Sequence, residues 1–243
     1  MAQAAITVLH DANVVDSITT ANSGSLTVTS TTAGNFVAVV CYNSNYSSLV
    51  SISGASDAAG DVFTLAPNST STAVSNNNAT MAIYYTNSIS AGQTSITCNF
   101  GTTGTYTVEI YEWEFSGVTN PTYDIGNAVN NSSSGTTTIN GPTLATTGTT
   151  EWGVSAVSTT NNITQNPKTG NAWISGGGAG MINSNQNAAT GLIATSPGST
   201  TPVWLDATTN VHYNSSAASW YVGSGNYSII HGHSTIHGLS TIH

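Results

Sequence analysis

Arginine is absent from this chain and lysine occurs once, at Lys168, so its 243 residues carry a formal net charge of −9 with only 5% of them charged. Without a cationic face there is little to displace counterions from phosphate, so a nucleic-acid partner is not expected. Anionic membrane surfaces are disfavoured for the same reason. No apolar run approaches the roughly 18 residues of a membrane helix, so membrane insertion is not expected. An amphipathic helical period is missing too. So is the G-x-S-x-G elbow of a serine hydrolase, since "GSGNYS" (223–228) does not fit it.

Ser, Thr, Asn and Gly fill the polar positions, but 38% hydrophobic content with 5 Trp and 10 Tyr suffices for a packed core. The opening "MAQAAIT" contains "AQA", the small-x-small form found around a signal-peptidase site, so a secreted or cell-surface chain that has lost a leader is expected, with Met1 an added start. Cys41 in "FVAVVCY" and Cys98 in "TSITCNF" both fall in strand-like runs. A disulfide between them is the expectation, and two buried thiols the alternative.

Period-two alternation, broken by Gly, Asn and Pro every 8 to 12 residues, predicts an all-β antiparallel sandwich. Expected strands cover 4–10, 25–30, 36–42, 48–54, 62–66, 80–86, 94–100 and 106–115, then 136–141, 152–158, 171–175, 189–195, 201–207 and 219–230. The two series echo one another: "TTAGNF" (31–36) with "TTGTTEW" (146–152), "GDVFTLA" (60–66) with "GNAWISG" (170–176), and "SISAGQTSI" (88–96) with "ATSPGSTTPV" (194–203). An internal duplication with halves at about 24–117 and 134–229 follows, building one jelly-roll-like domain over 1–230; two tandem immunoglobulin-like sandwiches are the alternative. Residues 231–243 form a His-rich extended tail, either an added segment or one that exchanges strands with a neighbour.

The order "TTAGNFVAVVCY", "SISGASDAAGDVFTLA", "MAIYYTNSISAGQTSITCNF", "EWEFSGV", "TTGTTEWGVSAV" resembles the jelly-roll or immunoglobulin-like β-sandwich modules that recur in secreted and cell-surface bacterial proteins. The resemblance spans about residues 24 to 225 and implies a structural, adhesive or carbohydrate-associated module.

"VEIYEWEFSG" (108–117) holds Glu109, Glu112 and Glu114, three of only ten carboxylates. In a strand Glu112 and Glu114 share a face with Ile110, while Glu109 lies opposite with Tyr111, Trp113 and Phe115. Alternate carboxylates on one strand can reach the separation a retaining glycosidase needs. The stretch is superficially similar to the E-x-D-x-E strand of jelly-roll glucanases resembling laminarinase, but one of the three acids is missing in either register. A catalytic role for Glu109, Glu112 or Glu114 is therefore the weaker expectation.

Asp57 and Asp61 in "SDAAGD" suit an Asx-closed turn, or a calcium ion held with backbone carbonyls. Trp152, Trp173, Trp204 and Trp220 lie in strand-like segments and are expected in the core, whereas Tyr42, Tyr46, Tyr84 and Tyr85 are the surface candidates for stacking on a glycan. In the tail "IIHGHSTIHGLSTIH", His231, His233 and His237 share one face of an extended strand and could bind zinc or copper. The isoleucines of the other face could add to a neighbouring sheet. Two functions result: an extracellular structural or adhesive subunit that self-associates through terminal strands such as "AAITVLH" and "YSIIHGH", or a module that binds or cleaves cell-surface glycan through the Glu112/Glu114 strand.

Overall fold

The alternation of "YTVEIYEWEF" belongs to a strand of 22 residues, Ser95–Ser116, which organises the first half of the chain. The computed structural model describes residues 5–45, 47–73, 78–132, 135–165, 181–183, 186–194, 196–209 and 211–223. Its strands in the first half are β1 (Thr7–Thr27), β2 (Phe36–Ser44), β3 (Ile52–Asp57), β4 (Thr64–Leu65), β5 (Ser71–Ala73), β6 (Ala79–Thr86) and β7, the 22-residue strand. They make one seven-stranded sheet in the order β1-β7-β2-β6-β4, with β3 joined to β7 and β5 to β6. The second half supplies β8 (Pro121–Ser132), β9 (Thr138–Asn140), β10 (Leu144–Thr146), β11 (Glu151–Thr159), β12 (Ile163–Gln165), β13 (Met181–Asn183), β14 (Asn187–Ala194), β15 (Gly198–Thr200), β16 (Val203–Asp206) and β17 (His212–Val222). Its main sheet runs β13-β14-β11-β17-β8, beside smaller β12-β16-β9 and β10-β15 sheets, and every pairing is antiparallel.

The two large sheets close on one another through a shared core. Phe36, Ala38 and Val40 of β2 and Tyr111, Trp113 and Phe115 of β7 meet Trp152 and Val154 of β11 and Trp220 of β17. The Phe36 ring lies 4.8 Å from that of Trp220 and 5.4 Å from that of Trp152, tilted and edge-on respectively. Because residues of both halves fill this one layer, the chain is a single sandwich, and the tandem immunoglobulin-like alternative is set aside.

The halves also follow one plan. Reading β1 as β8, β2 as β11, β6 as β14 and β7 as β17 turns the order β1-β7-β2-β6 into β8-β17-β11-β14. Contacts between the sheets respect the same exchange. β7 lies against β14 and β17 against β6, β5 against β8 and β1 against β13, while β2 lies on its own counterpart β11. This is a pseudo-dyad through the β2–β11 contact. The halves thus start at Thr7 and Pro121, earlier than the sequence echoes suggest, because β1 and β8 are the strands the echoes leave out.

A second core covers the outer face of the first sheet. The end of β1 and the start of β7, paired from Ser23↔Asn99 to Thr27↔Ser95, fold back over the same two strands. Gly24 is the close approach: a Cβ there would lie 2.9 Å from a methyl of Val108. Leu26, Ile96, Cys98 and Phe100 thereby bury Val37, Val39, Val108 and Ile110. The Cys41–Cys98 disulfide, with Cα atoms 5.8 Å apart, ties this fold-back to β2. The expected strands 94–100 and 106–115 are therefore the two arms of β7, and 4–10 and 25–30 the two ends of β1. The expected strand 171–175 and the residues beyond 223 lie outside the described residues.

Candidate functional site

Antiparallel pairing of β1 with β7 sets Val8 opposite Phe115 and His10 opposite Glu114, leaving Leu9 as an extra residue. That bulge has a chemical effect. Val8 packs towards the shared core, but after the bulge His10, Ala12 and Val14 follow the parity of Glu114, Glu112 and Ile110. A bulge re-aims the side chains that follow it, and here it delivers an imidazole to two carboxylates. His10 Nδ1 lies 3.3 Å from Glu112 Oε2, and His10 Nε2 lies 2.5 Å from Glu114 Oε2. One donor atom from each of the three residues falls within 4.8 Å of the others.

The two glutamates have different surroundings. Glu114 Oε1 accepts from the Thr32 amide at 3.0 Å and from Asn35 Nδ2 at 2.5 Å, closing the turn in which Gly34 takes φ +83°. Glu112 has no such role: it is 0% exposed, and neither of its oxygens receives a directed hydrogen bond from the described residues. Burial pushes its carboxyl up to about 7, with His10 pulling the other way. Contact with Glu112 raises the His10 imidazole, against its own burial. Such a cluster can share a proton or hold a cation.

The second half shows what the fold requires at this place. Trp220 pairs with Tyr123 and Ser219 with Ile125, so Asp124 is bulged as Leu9 is. The counterparts of His10, Glu114 and Glu112 are then Ile125, Ser219 and Ala217. They are largely apolar, with Ile125 and Ala217 packed together beside Leu144 and Leu192. Turn closure passes to other acids: Asp124 accepts from the Thr147 amide at 2.8 Å, and Glu151 from the Gly148 amide at 2.5 Å. The same backbone thus folds without an ionisable trio, and the His10–Glu112–Glu114 group is a local feature of the first half.

Glu109 faces the shared core as parity predicts, where it accepts from Asn187 Nδ2 at 2.6 Å and from the Tyr111 hydroxyl at 2.7 Å. All three glutamates are 0% exposed, so no sugar reaches them. Open clefts among the described residues include one of about 390 Å³ beside Val62, Tyr85 and Asn87 and one of about 330 Å³ beside Thr146, Leu192 and Pro197. Neither is lined by a glutamate.

Of the tyrosines expected at the surface, Tyr42 and Tyr84 are buried, a correction with a geometric cause. Tyr42 shares the parity of Ala38 and Val40 and sits in the shared core, accepting from Ser158 Oγ at 3.1 Å. Tyr84 lies under the fold-back and donates to the Ile52 carbonyl at 3.2 Å. Tyr85 is half-buried and lines the larger cleft. Trp152, Trp204 and Trp220 are fully buried, as expected of strand aromatics. Asp57 Oδ1 accepts from the amides of Gly60 and Asp61, and Asp61 accepts from the amide and hydroxyl of Ser90. These carboxylates close the turn through Asx-type hydrogen bonds. Tyr46, Trp173, Lys168 and the tail histidines His231, His233 and His237 lie outside the described residues. His10 is the residue that sequence reasoning missed. The parity of Glu112 and Glu114 was legible, but nothing in "TVLHDA" marks Leu9 as a bulge.

No protein-family model matches the chain, and no curated protein does. Nine chains among solved structures match. One, in the atomic structure of Sulfolobus Turreted Icosahedral Virus, shares 9% identity over 90% of this chain and 91% of its own length, at a TM-score of 0.29. Another, from the crystal structure of the STIV MCP, shares 8% identity over 88% of this chain and 97% of its own length, at a TM-score of 0.27. At that distance the likeness carries no argument, and the all-β sandwich rests on the strands and pairings themselves.

Proposed function

We propose that the chain is a structural, self-assembling sandwich subunit of an extracellular surface. One observation carries the reading: β1, 21 residues long, is an edge strand whose only partner among the described residues is β7. An open edge offers a row of amides and carbonyls to the strand of a second copy. Register shifts interrupt the ladder near Leu9 and after Ile18, but it runs unbroken from His10 to Ile18, long enough for strand addition. Leu9, 49% exposed, adds apolar surface at the same edge. A disulfide suits an oxidising compartment, and the resemblance to surface modules points the same way.

Sizing chromatography with negative-stain microscopy tests the proposal. The wild-type chain is expected to form species larger than a monomer, and Leu9→Lys with Asn13→Lys, two charges on the open edge, is expected to return a folded monomer. A wild-type chain that stays monomeric at high concentration would sink it. The glycan reading keeps the Tyr85 cleft as its support; retardation on a polysaccharide gel that Tyr85→Ala abolishes would favour it instead.

A further inference from the structure

We infer that His10, Glu112 and Glu114 bind one divalent transition-metal ion, with zinc the best match, and that the ion clamps the bulged start of β1 onto β7. One imidazole and two carboxylates are a ligand set that zinc accepts, and zinc imposes little geometry of its own. Ligand distances of about 2.1 Å at tetrahedral angles require donor separations of about 3.4 Å. Only one imidazole nitrogen can bind a given ion, so the relevant separations are those among one donor atom from each residue, all within 4.8 Å, and side-chain shifts of about 1 Å close them to that figure.

Two independent observations point to a ligand. Glu112 is fully buried with both oxygens lacking a directed hydrogen bond, and His10 contacts the carboxylates without an aligned N–H···O bond. A buried carboxylate left in that state is costly, and a single imidazolium offsets only one of two negative charges. A divalent ion on a neutral imidazole offsets both. The second observation is the counterpart site, where Ile125, Ala217 and Ser219 occupy the equivalent positions after an equivalent bulge. Packing therefore does not demand three ionisable groups here. His10, whose side chain is 13% exposed, lies on the solvent side of the fully buried Glu112 and Glu114. Since His10 is on β1 and both glutamates are on β7, a bound ion joins the edge strand to its neighbour beside the bulge, where the ladder is interrupted.

The tail histidines are the competing ligands, so the test uses the full chain with His231, His233, His237 and His243 changed to Asn. Native mass spectrometry and calorimetry with zinc sulfate at neutral pH are expected to show one zinc per chain. His10→Asn and the isosteric Glu112→Gln, each checked for folding by circular dichroism, should weaken binding by more than the roughly 10–100-fold that loss of an outer-shell partner costs. Hydrogen exchange of residues 7–12 should slow when zinc is added, the readout specific to the clamp. Absence of zinc binding in the tail variant, or binding that His10→Asn and Glu112→Gln leave unchanged, would overturn the inference.

Discussion

His10 and Ile125 occupy the same place in the two halves of the sandwich: each follows a bulged residue, and each pairs with the residue preceding an aromatic of the shared core, Glu114 before Phe115 and Ser219 before Trp220. One backbone solution thus serves an ionisable cluster in one half and an apolar contact in the other. The difference lies in side chains alone, which makes the cluster testable by substitutions that leave the fold intact.

With metal chelated, the chain is expected to be more stable at pH 5 than at pH 8. The Glu112 carboxyl, raised from the ordinary value of 4.5 to about 7, keeps in the folded state a proton that the unfolded chain has lost, so stability falls as pH rises through that window. His10 has the same sign, because its raised imidazole contributes stability present below 6.5 and lost as pH rises through the folded value. The Glu112 contribution is at most about 3 kcal/mol at roughly 1.4 kcal/mol per pH unit. Thermal midpoints in EDTA from pH 5 to 8 check it, and Glu112→Gln should reduce the slope without abolishing it, because burial also pushes the Glu151 carboxyl up to about 7.

Replacing both Cys41 and Cys98 by Ser opens a loop spanning 57 residues of sequence separation. The chain-entropy model puts the loss at about 4 kcal/mol, larger than most single core substitutions. Urea unfolding of the double variant measures it, and reduction of the wild-type chain should give a similar shift.

Glu109→Ala should cost more than its small size change suggests. Asn187 of β14 and the Tyr111 hydroxyl both donate to this carboxylate inside the shared core, and each unmatched buried donor costs about 1–3 kcal/mol. A loss of about 3 kcal/mol or more is expected in urea unfolding. Glu109→Gln should recover part of it, since its carbonyl oxygen still accepts one of the two bonds.

Much of the fold was legible from residues whose environment dictates their type. The alternation of Ile110, Glu112 and Glu114 against Glu109, Tyr111, Trp113 and Phe115 gave the two faces of β7 correctly, and the strand positions of Trp152, Trp204 and Trp220 gave the core. The echo of "TTAGNF" with "TTGTTEW" falls on the turns before β2 and β11. What escaped were the edge strands. "DANVVDSITTANS" within β1 and "PTYDIGNAVNNS" of β8 carry the Asp, Asn and Pro of strands exposed along one side, and so lack a clean apolar period. Tyr84 is buried because the fold-back of β1 and β7 covers the outer face of the first sheet, which its strand alternation alone does not reveal. His10 escaped because a bulge shifts parity by one residue without any fixed sequence signature.

Self-assembly through β1 is tested most directly by hydrogen exchange along that strand. In assembled protein the amides from His10 to Ile18 are expected to exchange more slowly than in the monomeric Leu9→Lys, Asn13→Lys variant, while those of central strands such as β2 remain equally protected in both. Equal exchange along β1 in the assembled and monomeric forms would contradict a contact made through this edge.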